Sequence, residues 1–183
     1  MIFKLKTAQT TWIVTAANVK THLDISVNTY DTQITQLIVA AQKMIEEQYD
    51  LRLSAATYYG YLDKFPTKEI EIWLWPIASI SSVKYTDGDG NTQTVTASNY
   101  ATDLVGKPAR IYPVGGYSWP DTKDTVNAVT VEFVTGFTSP ETVPDDIEHA
   151  MYMILADWWD NREDRGYRFP RLADKILHKY KYR

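Results

Sequence analysis

The sequence predicts an α+β fold: a helical body carrying a small, mainly antiparallel β insertion. Three observations support this. Apolar residues recur at three- and four-residue spacing over 31–49 and again after Pro144. Between those segments, over 57–134, the period changes to two. An amphipathic helix must bury its stripe, and the only other long stripe lies at the far end of the chain. The outer helices are therefore expected to pack together, with the β unit inserted between them.

A first helix is expected over 16–23, with Thr15 accepting from a first-turn amide and Val19 and Leu23 on one face. After a polar break at 26–30, Asp31 is placed to cap a long helix running to Tyr49. Its stripe reads Ile34, Leu37, Ile38, Ala41, Met44, Ile45 and Gln48. Then come the alternating segments. Tyr58, Gly60 and Leu62 alternate with Tyr59 and Tyr61; Ile70, Ile72 and Leu74 alternate with Glu71, Trp73 and Trp75. Val83 and Tyr85 lead into DGDGN, a turn rich in residues that tolerate positive φ, and 92–96 returns as its partner. A short strand at 109–112 and the loop PVGGYSWPD precede 127–134, with Val129, Val131 and Phe133 inward. Helix resumes at Pro144, with Asp145, Asp146 and Glu148 at the positive end of the dipole. Ile147, Met151, Ile154, Leu155 and Trp158 form its stripe, and Trp159 points roughly 100° away. A last helix over 171–179 aligns Leu172, Ile176 and Leu177. The expected parts are 1–54 and 138–165 as the helical body, 55–137 as the β insertion, and 166–183 as a C-terminal tail.

Composition narrows the function. With no Cys there is no disulfide, thiolate catalysis or cysteine-bound metal. The opening MIFKLKTAQTTW has no apolar run suited to export, and no segment reaches the length of a membrane span. Thirteen Tyr and six Trp serve cores or interfaces. Charge is uneven: 162–183 holds eight Lys/Arg against three Asp/Glu, whereas 1–161 holds eleven basic and twenty acidic residues. An acidic body with a basic tail points to an acidic partner, with a solvated helix as the plainer explanation.

Catalytic patterns are thin. His22, His149 and His178 fall on expected helices without metal-ligand spacing, and no GxSxG, P-loop or GxGxxG occurs. Asp87, Asp89 and Asn91 resemble the start of a calcium loop, but the twelfth position is Ser98, and a hairpin turn accounts for DGDGN. Asp157, Asp160 and Asp164 share a helical face, yet Arg162 and Arg165 interleave with them, which reads as a solvated helix end rather than a hydrolase site. RGYRFPRLADKILHKYKYR interleaves basic and aromatic residues, as nucleic-acid grips do. The acidic body opposes that alternative by repelling DNA elsewhere.

Taken in order, these pieces resemble the head–tail connector, or adaptor, proteins of tailed bacteriophages. The resemblance rests on VTAANVKTHLDI and DTQITQLIVAAQKMIEEQYDLRL; on LDKFP, IASISSVKYTDGDGNTQTV, ARIYP and SWP; and on VPDDIEHAMYMILADWWDNRED with the ending YKYR. It covers nearly the whole chain. The departures are EIWLWP, where Trp73 and Trp75 replace the more usual small or proline residues, and the long basic end. The resemblance implies a structural, non-enzymatic virion protein without cofactor or metal, made in the host bacterial cytoplasm. It implies a ring, commonly twelvefold, beneath the portal protein at the capsid's head–tail interface. Such a ring extends the channel for double-stranded DNA and meets the next connector, a stopper or a tail protein. On this reading the portal-docking residues are Trp159, Arg162, Arg165, Tyr167, Arg168, Phe169, Arg171, Lys175, Lys179, Lys181 and Arg183, with Gly166 as the joint. Trp73 and Trp75, beside Tyr59 and Tyr61 of a neighbouring strand, make the candidate subunit interface; a second packed layer within the monomer is the competing explanation.

Overall fold

The computed structural model describes residues 1–161 and 169–181. Its strands are β1 (Ile2–Thr7), β2 (Ala56–Leu62), β3 (Ile70–Ile72), β4 (Ile77–Thr86), β5 (Thr92–Thr94), β6 (Tyr100–Asp103), β7 (Ala109–Pro113) and β8 (Val129–Thr135). Its helices are α1 (Ala16–His22), α2 (Asp31–Tyr49), α3 (Asp145–Asp160) and α4 (Arg171–His178). The chain divides into two compact units, 1–9 with 55–136 and 10–54 with 137–183.

The first unit is built from two antiparallel sheets. One has the order β1-β2-β8-β4-β5, the other β3-β7-β6. Alternation explains their shared core. Val129, Val131 and Phe133 point to one face of β8, and Val83 of β4 lies opposite Val131 in the register. Ile70, Ile72, Ala109 and Ile111 come to the same apolar cluster from the smaller sheet. Phe133 anchors it, stacked on Tyr58 and edge-on to Phe3. The DGDGN turn closes on Asp87: its Oδ1 accepts from the backbone N–H groups of Asp89 and Asn91, and its Oδ2 from Gln93 Nε2. Gly90 sits there at φ +92°, where a side chain is strained.

Two sequence expectations change here. Residues 1–9, assigned to the helical body, supply β1 instead; Phe3 packs toward the core, while Lys4 and Lys6 lie on the opposite side of an edge strand. The segment after LDKFP does not pair beside β2. It crosses to the smaller sheet, where Ile70 faces Ile111 and Ile72 faces Ala109.

The second unit gathers helices from both ends of the chain, and α3 contacts α1, α2 and α4. Thr15 caps α1 as expected, accepting from the Asn18 N–H at 3.1 Å. Asp31 is not a cap: it is the first residue of α2, and its Oδ1 accepts from Lys20 Nζ at 2.8 Å. The buried stripe of α2 is Ile34, Ile38, Ala41, Gln42, Ile45, Glu46 and Tyr49, whereas the expected Gln48 is exposed.

Gln42 and Glu46 are buried because the adjoining loops need partners. Gln42 Oε1 accepts from the Ile13 N–H, and its Nε2 donates to Ser54 Oγ and Glu46 Oε1. Glu46 Oε1 also accepts from the Leu53 N–H at 3.0 Å. An amide buried without an acceptor costs about 1–3 kcal/mol. Glu46→Leu should therefore lower the unfolding free energy by about that amount, while Glu46→Gln, which keeps an acceptor oxygen, should cost less than about 1 kcal/mol. Urea denaturation of the two variants checks this; equal losses would contradict it.

Candidate functional site

The candidate interface residues are aromatics expected to be exposed and a basic C-terminal segment. In the β unit, Tyr59 and Tyr61 stand on the face of β2 away from the apolar core, half-buried, with ring centroids 6.1 Å apart. Lys6 of β1 lies 5.0 Å above the Tyr59 ring and donates to Glu132 at 2.6 Å. The bond to Glu132, and after it the one to Tyr59, raises the lysine's pKa and holds it charged.

Trp73 and Trp75 are not beside those tyrosines. They follow β3 on the other sheet, because β3 pairs with β7 rather than β2. The alternation expected for Trp73 does hold: Ile70, Ile72 and Leu74 are buried, and Trp73 is 46% exposed. Trp75 is half-buried, with Lys107 Nζ 3.5 Å from its ring centroid.

The C-terminal residues divide into three groups. Arg162, Arg165, Tyr167, Arg168 and Arg183, with the Gly166 joint, lie outside the described residues. A second group is committed to the helical unit. Phe169, expected to dock on a partner, is only 8% exposed and stacks on Tyr49 at 5.9 Å. Tyr49 Oη donates to Asp174 Oδ1 at 2.6 Å. Burial, reinforced by that bond, pushes the Tyr49 phenol above its ordinary pKa, so it remains a neutral donor. Lys179 Nζ and Tyr180 Oη both donate to Asp146 near the start of α3. Burial alone would raise the Asp146 pKa, but these two donors outweigh it and the net shift is downward. Trp159 is half-buried, its ring edge-on to Tyr30 at 5.3 Å.

The third group faces outward. Ala173 and Leu177 are buried, so α4 turns Arg171, Leu172 and Lys175 to the surface, and Lys181 is exposed beyond it. The expected stripe of Leu172, Ile176 and Leu177 is thus rotated: Leu172 is 57% exposed. A four-residue spacing, Phe169–Ala173–Leu177, carries the buried side and was the overlooked signal.

The other chemical candidates have structural occupations. Asp157 Oδ1 accepts from Asn161 Nδ2 at the end of α3, and Asp164 lies outside the described residues. His22 stacks on Tyr152 at 4.9 Å. Tyr152 donates to Glu148, and burial followed by this bond pushes its pKa to about 12. His149 and His178 are exposed. All hydrogen-bonding oxygens of Asp87 are engaged in its own turn.

A family model described as head completion protein matches residues 12–168. The chain belongs to that family. It is a structural component of the phage-type head–tail connection, located in the virion. No curated protein sequence matches it. Its fold is shared with chains of solved gene transfer agent particles. One, from the neck of an empty particle computed with C6 symmetry, is 19% identical with a TM-score of 0.81. A second, from the virion of the native particle, is 19% identical with a TM-score of 0.80. A third, from the native neck computed with C12 symmetry, is 20% identical with a TM-score of 0.79. Each alignment covers 99% of this chain and 95% of the other.

The burial of Phe169, Ala173 and Leu177 makes 169–178 part of the fold. Phe169→Ala should lower the unfolding free energy by about 3 kcal/mol, as loss of a buried aromatic does. Arg171→Ala, on the exposed face, should change it by less than about 0.5 kcal/mol. Equal and negligible effects in urea melts would restore the picture of an independent tail.

Proposed function

We propose that the protein assembles as a closed ring beneath the portal, twelve copies extending the DNA channel and offering the opposite surface to the next connector or tail protein. The observation that carries this is the full-length structural likeness to a neck chain from a particle computed with C12 symmetry, joined to family membership. The acidic body suits a conduit, since like charge keeps the duplex from adhering to the wall.

The exposed face of α4 is the portal-docking surface of this proposal. It combines an apolar anchor, Leu172, with the cations Arg171 and Lys175, and Lys181 follows. Such a face fits an acidic groove with an apolar floor, where charge guides encounter and the buried side chain slows release. Trp159, Arg162, Arg165 and Arg168, expected in the docking segment, precede α4 in the sequence. Trp73, Trp75, Tyr59 and Tyr61 remain assigned to contacts between subunits, as two separate patches rather than one.

The test is negative-stain imaging of the full chain with and without its cognate portal, alongside a binding titration. The account expects a ring on the portal. It also expects that Arg171→Glu with Lys175→Glu weakens portal binding by at least about tenfold while leaving the melting curve unchanged. A doubly reversed variant that binds like wild type would reject this docking face; salt-sensitive DNA binding without portal binding would favour a nucleic-acid role.

A further inference from the structure

An aspartate followed by glycine is a chemically fragile link, because a glycine amide has no side chain to shield it from the neighbouring carboxyl carbon. This sequence has two such links, Asp87–Gly88 and Asp89–Gly90, both in the DGDGN turn between β4 and β5; no Asn is followed by glycine. The chemistry open to each is the same. The glycine nitrogen attacks the side-chain carboxyl carbon of the aspartic acid. A C–N bond forms, the C–OH bond breaks, and the hydroxyl leaves as water with the amide proton. Water then reopens the five-membered imide. Opening at the main-chain carbonyl leaves the chain running through the aspartyl side chain, as an isoaspartyl link of unchanged mass. Water is the only co-reactant.

The turn treats its two links differently. At Asp87 both carboxylate oxygens are occupied: Oδ1 accepts from the Asp89 and Asn91 N–H groups, and Oδ2 from Gln93 Nε2. Swinging that carboxyl carbon onto the Gly88 nitrogen breaks all three bonds. The Gln93 bond, and after it the Asn91 amide, also holds the Asp87 carboxyl below its ordinary pKa, which depletes the neutral acid that must lose water. Asp89 is the reverse case. It is exposed, and its side chain makes no hydrogen bond or ion pair among the described residues. The Gly90 N–H donates to the Asp87 carbonyl at 2.9 Å, a neutral backbone bond weaker than the charge-assisted set on Asp87.

We propose that Asp89 is a site of spontaneous isoaspartate formation in the folded protein, and that the hydrogen bonds on Asp87 spare the preceding link. The lesion is local. Strand β5 is three exposed residues at the edge of its sheet. Just beyond it Val95 is buried, and its N–H donates to the Val83 carbonyl at 2.9 Å, so the hairpin is pinned on the far side of the turn. A virion component is not replaced by new synthesis once the particle has left its host, so such links accumulate with age.

The test ages the full-length chain for several weeks near neutral pH, once folded and once in guanidinium chloride. Isoaspartate is measured by transfer of labelled methyl groups from S-adenosylmethionine with a protein isoaspartyl methyltransferase. Electron-transfer fragmentation of the digested chain locates it. The folded chain is expected to accumulate isoaspartate at 89 at least about tenfold faster than at 87, the effect of three hydrogen bonds, all to a charged carboxylate, against one neutral bond. In denaturant, where that protection is gone, the two positions should react at similar rates. Asp89→Glu, whose imide would be six-membered and slow to close, should abolish labelling of the folded chain. A folded chain that remains unlabelled, or is labelled equally at 87 and 89, overturns the assignment, as does an Asp89→Glu chain labelled like wild type.

Discussion

The helical unit depends on one side chain, Tyr49. It ends the buried stripe of α2 at 1% exposure, and a buried phenol needs both a packed ring and a hydrogen-bond acceptor. Both come from the other end of the sequence: Phe169 stacks on the ring and Asp174 accepts from the hydroxyl. Raised above its ordinary pKa by burial, the phenol stays protonated and the bond persists through neutral pH. The hydrogen bond to Asp174 ties α2 to α4. The Lys179 and Tyr180 bonds to Asp146 then tie α4 to α3. Helix α4 is thereby fixed, with Ala173 and Leu177 buried and Arg171, Leu172 and Lys175 on its outward side.

Helix α4 is thus divided between a buried side and an outward side. Buried positions 169, 173 and 177 specify where α4 lies; Arg171, Leu172 and Lys175 on the opposite side are what it displays. The β unit follows the same logic. Phe133, Val131 and Ile111 close its core, while Asp103 orders the 104–108 turn and Phe65 stacks on Trp119. Among the described residues no group of three or more His, Asp or Glu could hold a metal ion, and Asp157, Asp174, Tyr152 and His22 have structural partners.

Much of this was legible in the sequence because periodicity reports which side of an element is apolar. The bounds of α2 and the inward residues of β8 follow directly from it. What was not legible depended on distant partners. Gln42 and Glu46 look like surface residues of a helix until Ile13, Leu53 and Ser54 present backbone and hydroxyl groups to them. Strand β1 is short and carries lysines suited to an edge, so its alternation is easily read as irregular. The pairing of β3 with β7 joins segments about forty residues apart, and nothing local in EIWLWP distinguishes that partner from β2. On α4, the large Leu172 attracts attention, yet the small Ala173 lies inward where Asp174 must reach Tyr49.

Amide hydrogen exchange of the full-length chain tests the central claim most directly. If the C-terminal segment is an integral part of the helical unit, the amides of 174–178 in α4 exchange with protection comparable to those of α2. They would also lose it together with α2 on mild destabilisation. Exchange of α4 at the rate of an unstructured peptide, with α2 still protected, would contradict the account.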